Sequence, residues 1–164
     1  MATEFGGTQG ALMPSFSVSR VTEGSDFHSM LDIFEKAFND EENYGKGTRL
    51  GDSYIKSLVD SESFVGLLAR SEDGLPVRAL AAYVLKKFER ERAEIYIYDL
   101  AVADSQRRNG AATSLINELR KIGRGIGAYV LFVQADKGKE DFPAQELYRK
   151  LGTQEDVFHY NIEI

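Results

Sequence analysis

The stretch Ile95 to Ala112, IYIYDLAVADSQRRNGAA, decides how this chain is read. Its first half is an apolar run, Ile95 to Ala103, broken by a single acid, Asp99, and reads as a strand. Its second half, Arg107-Arg108-Asn109-Gly110-Ala111-Ala112, has R-x-x-G-x-A spacing and opens a helix. The first N–H groups of a helix have no intrahelical partner, so they donate readily to an anion, and the helix dipole adds to the attraction. Arg107 and Arg108 supply fixed positive charge, and Gly110 has no side chain to hold a phosphate away from the backbone. Such a loop between a strand and a helix is a pyrophosphate site.

Upstream of this stretch, 64–70, 77–88 and 92–102 read as three consecutive strands, with Asp73-Gly74 turning the first hairpin, so an antiparallel meander is expected. Before them come a short strand over 16–21 and a helix over 25–38 with Ser25 as its N-cap. An acidic turn, Asn39-Asp40-Glu41-Glu42-Asn43-Tyr44, and a second helix from Asp52 to about Asp60 follow. Downstream, Leu115, Ile116, Leu119 and Ile122 form one apolar helix face that the glycines from Gly123 to Gly127 end. A buried strand over 128–135, a helix from Pro143 to Leu151 and a last alternating strand over 157–164 complete a mixed α/β order.

At 164 residues, 43% hydrophobic and 11% aromatic, the chain is long enough for one core. The expected organisation is a flexible segment over 1–14, with a second start at Met13, and a single domain over 15–164. A net charge of −6 and a pI near 5.0 repel a phosphate backbone, so nucleic acid is not the expected partner and the two-arginine loop is a local exception. The same charge suits a cationic small molecule, and equally serves solubility alone. With no cysteine, and with His28 and His159 far apart in sequence, neither disulfides nor a metal site is expected. No signal peptide or membrane-spanning run is visible, and the expectation is a soluble, cytoplasmic protein.

Asp99 is the leading candidate for chemistry. A carboxylate inside an apolar strand is costly unless it is paired, hydrogen-bonded or open to a cleft, and burial would raise its pKa above the ordinary value of about 3.9. A salt bridge to an arginine or a hydrogen-bonded bend in the strand would account for it structurally. By strict alternation Ile95, Ile97 and Asp99 share one face, and Tyr96, Tyr98, Leu100 and Val102 the other.

The loop, its position after a strand, and the helix Ala144-Gln145-Glu146-Leu147-Tyr148-Arg149-Lys150-Leu151-Gly152 some forty residues later resemble the Gcn5-related N-acetyltransferase superfamily. The blocks Ala81 to Glu89, Glu94 to Val102 and Gly127 to Asp136 are similar to aminoglycoside 3-N-acetyltransferases of the gentamicin-resistance type. The resemblance implies a mostly antiparallel central sheet flanked by helices, with acetyl-CoA in a V-shaped cleft between the fourth and fifth strands. It implies a bulge near the end of the Asp99 strand that re-aims a side chain toward the cleft.

On the same resemblance, Leu100, Ala101 and Val102 meet the cofactor through their main chain, and Arg107, Arg108, Asn109, Gly110, Ala111, Ala112 and Thr113 hold its phosphates. Asp99 then takes a proton from the incoming ammonium group and Tyr148 gives one to the departing thiolate. Tyr98 lines the acceptor side or packs as an ordinary core or surface tyrosine. Asp136 binds an ammonium group of the drug. Asp40, Glu41 and Tyr44 close over the substrate or form a solvated acidic loop. The segment from Lys137 to Phe142 departs from that family, and its two lysines, Lys137 and Lys139, weaken the attraction for a polycation. A homodimer is implied, with the C-terminal strand as a contact. Two other readings fit the cofactor loop: transfer to a polyamine or peptide amine, and a non-catalytic acetyl-CoA-binding module.

Overall fold

Residues 16–102 and 111–164 are described by a computed structural model, in which the chain divides into two compact units, Met1–Phe132 and Val133–Ile164. The elements as far as the boundary run β1 (Ser17–Arg20), α1 (Gly24–Phe38), α2 (Glu41–Tyr44), a 3-10 turn (Lys46–Thr48), α3 (Asp52–Val59), β2 (Phe64–Arg70), β3 (Pro76–Lys86), β4 (Ala93–Val102), α4 (Ala111–Gly125) and β5 (Ala128–Val133), all but the last residue of β5 in the first unit. The strands form one sheet in the order β1-β2-β3-β4-β5, antiparallel from β1 through β4. At the far edge the Ala93 amide donates to the Gly127 carbonyl, Glu94 accepts from the Tyr129 hydroxyl and Tyr96 stacks on Phe132. These contacts advance together along β4 and β5, the pattern of a parallel pair. The mixed, mostly antiparallel sheet flanked by helices is the fold class expected from the sequence.

Strand β2 is apolar at successive positions because both of its faces are covered, and Phe64 through Ala69 are all buried. One layer of core, Phe27, Met30, Ile33 and Phe34 of α1 with Ile55 of α3, lies against Phe64, Leu68, Ala79, Ala81 and Ala101 of the sheet. On the other face Leu115 and Leu119 of α4 are fully buried, and Gly123 of that helix approaches the Ile95 side chain. Each of these large side chains contributes roughly 1.5–3 kcal/mol when removed from water. Ion pairs fix α1 to its surroundings: Arg70 reaches Asp26 at 2.6 Å, and Arg49 reaches Asp32.

Several local expectations shift. Ser25 lies inside α1, whose N-cap is Glu23, because the extended backbone that an N-cap needs occurs at Glu23. The helix ends at Asn39, whose left-handed backbone (φ 52°) suits asparagine. The turn at Asp73-Gly74 and the stop after α4 both fall on a glycine at positive φ, Gly74 (80°) and Gly127 (74°). Arg78, read only as a strand residue, is completely buried; its guanidinium lies 3.6 Å over the Phe16 ring and its nitrogens meet no acceptor among the described residues.

In the second unit a 3-10 turn (Lys139–Asp141) leads into α5 (Phe142–Leu151), with Pro143 in its first turn and the Gly152 amide closing on the Tyr148 carbonyl at 2.9 Å. The strand expected over 157–164 is absent: these residues are irregular and exposed, Phe158 86% and Ile162 89%. Alternation marks a strand only where a neighbouring edge takes its backbone hydrogen bonds, and this segment has none within its unit. Among the described residues no helix is long and apolar enough to cross a membrane, and no group of His, Cys, Asp and Glu could hold a metal ion.

Candidate active site

The register of β4 changes at its centre. Tyr83 faces Tyr96 and Ala82 faces Ile97, but the next residue of β3, Ala81, faces Asp99. Tyr98 is the extra residue of a β-bulge, and it resets the alternation. Asp99 therefore leaves the face of Ile95 and Ile97, where strict alternation puts it, and joins Tyr96 and Tyr98 on the side covered by α1 and α2. The core supports this assignment, since Ala81, the register partner of Asp99, and Ala101, two residues further along β4, both lie in the α1 cluster.

On that face Asp99 is half-buried. The Tyr44 hydroxyl donates to its Oδ2 at 2.7 Å, and no cation pairs with it among the described residues. The sequence left open a salt bridge or a hydrogen-bonded bend; what the strand has is a bulge and a phenol. Burial pushes the Asp99 carboxyl above the ordinary carboxylate range, the Tyr44 hydrogen bond pulls back, and the negative charge of Asp40 pushes up again. Tyr44 in turn is held far above the ordinary phenol range, first by burial and then by the carboxylate it bonds, so it stays protonated.

Tyr44 is delivered by α2, a single turn with its own cap. The Asp40 carboxylate accepts the Asn43 amide at 3.0 Å and the Asn43 side chain at 2.8 Å, which holds the Asp40 carboxyl below its usual range. The Tyr44 ring rests on Phe34 and Phe38, with centroids 5.5 and 5.8 Å away. Tyr98, 59% exposed, stands edge-on to Tyr83 at 5.8 Å and to Tyr96 at 5.6 Å. Burial first, and then the neighbouring phenols and Asp99, raise the pKa of both Tyr83 and Tyr96; Tyr54 acts on Tyr83 as well.

Asp99, Tyr44, Tyr98 and Asp40 thus come together as one group, while Glu41 is exposed on α2 and bonds none of them. Leu100 and Ala101 continue β4, Leu100 half-buried and Ala101 in the core, and Val102 ends the strand opposite Arg78. Arg107, Arg108, Asn109 and Gly110 lie outside the described residues. Ala111 starts α4, and Ala112 and Thr113 are half-buried in its first turn, which carries no acidic residue to repel an anion. In the second unit, Asp136 has an exposed side chain and its carbonyl accepts the Gln145 amide at 2.6 Å; Tyr148 is half-buried on α5. Sequence reasoning missed Tyr83 and Tyr54. The signal for Tyr83 was a lone tyrosine in an alanine-rich strand, and it gained meaning only from pairing with Tyr96.

The family model of the acetyltransferase (GNAT) family matches residues 27–153, a span that includes residues of both units. An aminoglycoside acetyltransferase, HMB0005, from an uncultured soil metagenomic sample is 49% identical, with a TM-score of 0.88 over 92% of this chain and 99% of that one. A second from an uncultured soil metagenomic sample, meta-AAC0020, solved in complex with sisomicin, is 27% identical, with a TM-score of 0.79 over 91% of this chain and 96% of that one. The aminoglycoside N-acetyltransferase AAC(6')-Iy in complex with CoA, 13% identical, shares the fold with a TM-score of 0.71 over 92% of this chain and 97% of that one. No match is found among curated protein sequences. With a family match running from α1 to the end of α5 and a mixed sheet whose fourth strand is bulged beside Asp99, the chain belongs to the acetyltransferase (GNAT) family.

Proposed function

We propose that the protein moves the acetyl group of acetyl-CoA onto an amino group of an aminoglycoside, the 3-amino group of the 2-deoxystreptamine ring. The observation that carries this reading is Asp99, a half-buried carboxylate bonded by a phenol and unpaired with any cation among the described residues. An aminoglycoside arrives with its amines as ammonium groups, which have no lone pair to attack with. Asp99 attracts such a group by charge and, with its proton affinity raised by burial, takes one N–H proton directly or through water. The freed lone pair then forms the N–C bond to the thioester carbonyl, the C–S bond breaks as the Tyr148 hydroxyl protonates the leaving sulfur, and the second proton that the nitrogen sheds on becoming an amide returns through water to Tyr148. Direct transfer needs no covalent enzyme intermediate, and most of the acceleration comes from alignment of the two substrates.

Acetyl-CoA fits the described residues at one point in particular. β4 runs to Val102 and α4 runs over Ala111–Gly125 with no acidic side chain in its first turn, which supports reading the sequence Arg107 to Gly110 between them as the part that holds the phosphates. The acceptor class is supported by the likeness to two aminoglycoside acetyltransferases and by the tyrosines around Asp99, which offer faces and hydroxyls to a cationic sugar. Asp136 serves as a second anchor for an ammonium group. The exposed alternating row Phe158, Tyr160 and Ile162 supports reading 157–164 as a contact in a homodimer.

The test is thiol release from acetyl-CoA with gentamicin, kanamycin, spermidine and a peptide amine, followed by NMR of the drug product. Acetylation of the 3-amino group is expected. Turnover on spermidine or the peptide alone would transfer the reading to another amine, and tight acetyl-CoA binding without turnover would make the chain a binding module.

A further inference from the structure

We propose that Tyr44 is a positioning residue for Asp99, occupying Oδ2 with its phenol and leaving Oδ1 as the oxygen open to the substrate proton. The proposal rests on the reading of Asp99 as the base, and it adds which oxygen acts and what sets its proton affinity. At 2.7 Å the O–H to carboxylate contact is at the length of a charge-assisted hydrogen bond, and no second hydrogen bond reaches the carboxylate among the described residues. A carboxylate with one oxygen fixed cannot rotate freely, so its other oxygen keeps one direction.

The phenol is itself held from three sides. Its ring rests on Phe34 and Phe38, the Asp40 cap fixes the turn that carries it, and the Gly45 amide closes that turn on the Glu41 carbonyl at 2.9 Å. A hydroxyl held this way loses little freedom on forming the bond. That is the arrangement of a support built in advance rather than of a loop tyrosine that happens to reach an acid.

The groups that face Asp99 come from three elements: Tyr44 and Asp40 from α2, Tyr96 and Tyr98 from β4, and Tyr83 from β3. All are neutral phenols except Asp40, whose charge opposes ionisation of Asp99. Tyr44 is the one group of the set that hydrogen-bonds the carboxylate, and so the one that favours its charged form. Removing that hydroxyl leaves burial and Asp40 unopposed, so the proton affinity of Asp99 rises and the base is lost at a higher pH.

The test uses the full chain and Tyr44→Phe, which keeps the ring on Phe34 and Phe38. The titration midpoint of the Asp99 carboxyl, read by 13C NMR with Asp99→Asn to assign the signal, is expected to move up in Tyr44→Phe. The acid limb of kcat/KM for gentamicin is expected to move with it, kcat at neutral pH to fall about tenfold, the size of one charge-assisted bond, and the KM for acetyl-CoA to stay unchanged. In Asp99→Asn the ultraviolet titration of Tyr44 is expected to move down, which measures the same bond from its other side. Unchanged midpoints for both groups would overturn the proposal. Full turnover by Asp99→Asn would instead overturn the reading of Asp99 as the base, whatever the midpoints do.

Discussion

Ala81 of β3 faces Asp99 of β4, while its neighbour Ala82 faces Ile97. One additional residue, Tyr98, thereby places Tyr96, Tyr98 and Asp99 along a single face, so that an acid and its aromatic surroundings share one side of the sheet. Without the bulge, an isoleucine-rich strand of this sequence would bury the carboxylate against α4.

Deletion of Tyr98 tests what the bulge contributes. The shortened strand can pair without a bulge and still keep Asp99 opposite Ala81, so circular dichroism is expected to stay native. Straightening the strand displaces the carboxylate from its working position, and kcat/KM is expected to fall about 100-fold, the scale of a displacement near 1 Å. An activity near that of the wild type would mean that the bulge has no role in aligning the base.

Gly45 offers a test of the support beneath Tyr44. A Cβ at this position would collide with the Glu41 carbonyl oxygen and come within 2.7 Å of the Glu41 Cγ, so the turn must open to admit it. Gly45→Ala is expected to cost about 1–3 kcal/mol of stability in chemical denaturation and to lower kcat in the same direction as Tyr44→Phe. A stable Gly45→Ala enzyme with unchanged kcat would show that Tyr44 does not depend on this turn.

Asp99 also sets a stability cost with a definite sign. Its folded pKa is raised, chiefly by burial, so the folded chain holds the proton more tightly than the unfolded chain. Stability from this group is then fully present below the unfolded value and is lost as pH rises through the folded one. At pH 7 to 8, Asp99→Asn is expected to melt higher than wild type by about 2 °C, with the difference shrinking toward pH 4. Thermal melts across that range check it, and a variant that melts lower at pH 8 would contradict the sign.

Much of this was legible in the residues because hydrophobic period and turn chemistry act locally. The three central strands, the helix over Leu115 to Leu119 and the stop at Gly127 follow from spacing alone. What was not legible depended on partners. The last segment, 157–164, alternates like a strand but has no edge within its unit to pair with. The short α2 looked like an acidic turn because its apolar anchor, Tyr44, finds Phe34 and Phe38 only in three dimensions. The bulge has no sequence mark of its own: Tyr98 continues an I-Y-I-Y alternation, and only the pairing with β3 reveals that it is the extra residue. Asp99 stood out because charge is rare in such a strand, whereas Tyr83 and Tyr54 did not.

The most direct measurement is steady-state turnover by Asp99→Asn with gentamicin, alongside acetyl-CoA affinity by calorimetry. Loss of the base is predicted to lower kcat by about 100-fold or more at neutral pH while acetyl-CoA affinity stays within about twofold of wild type. Turnover equal to that of the wild type would remove Asp99 from the mechanism and contradict the account.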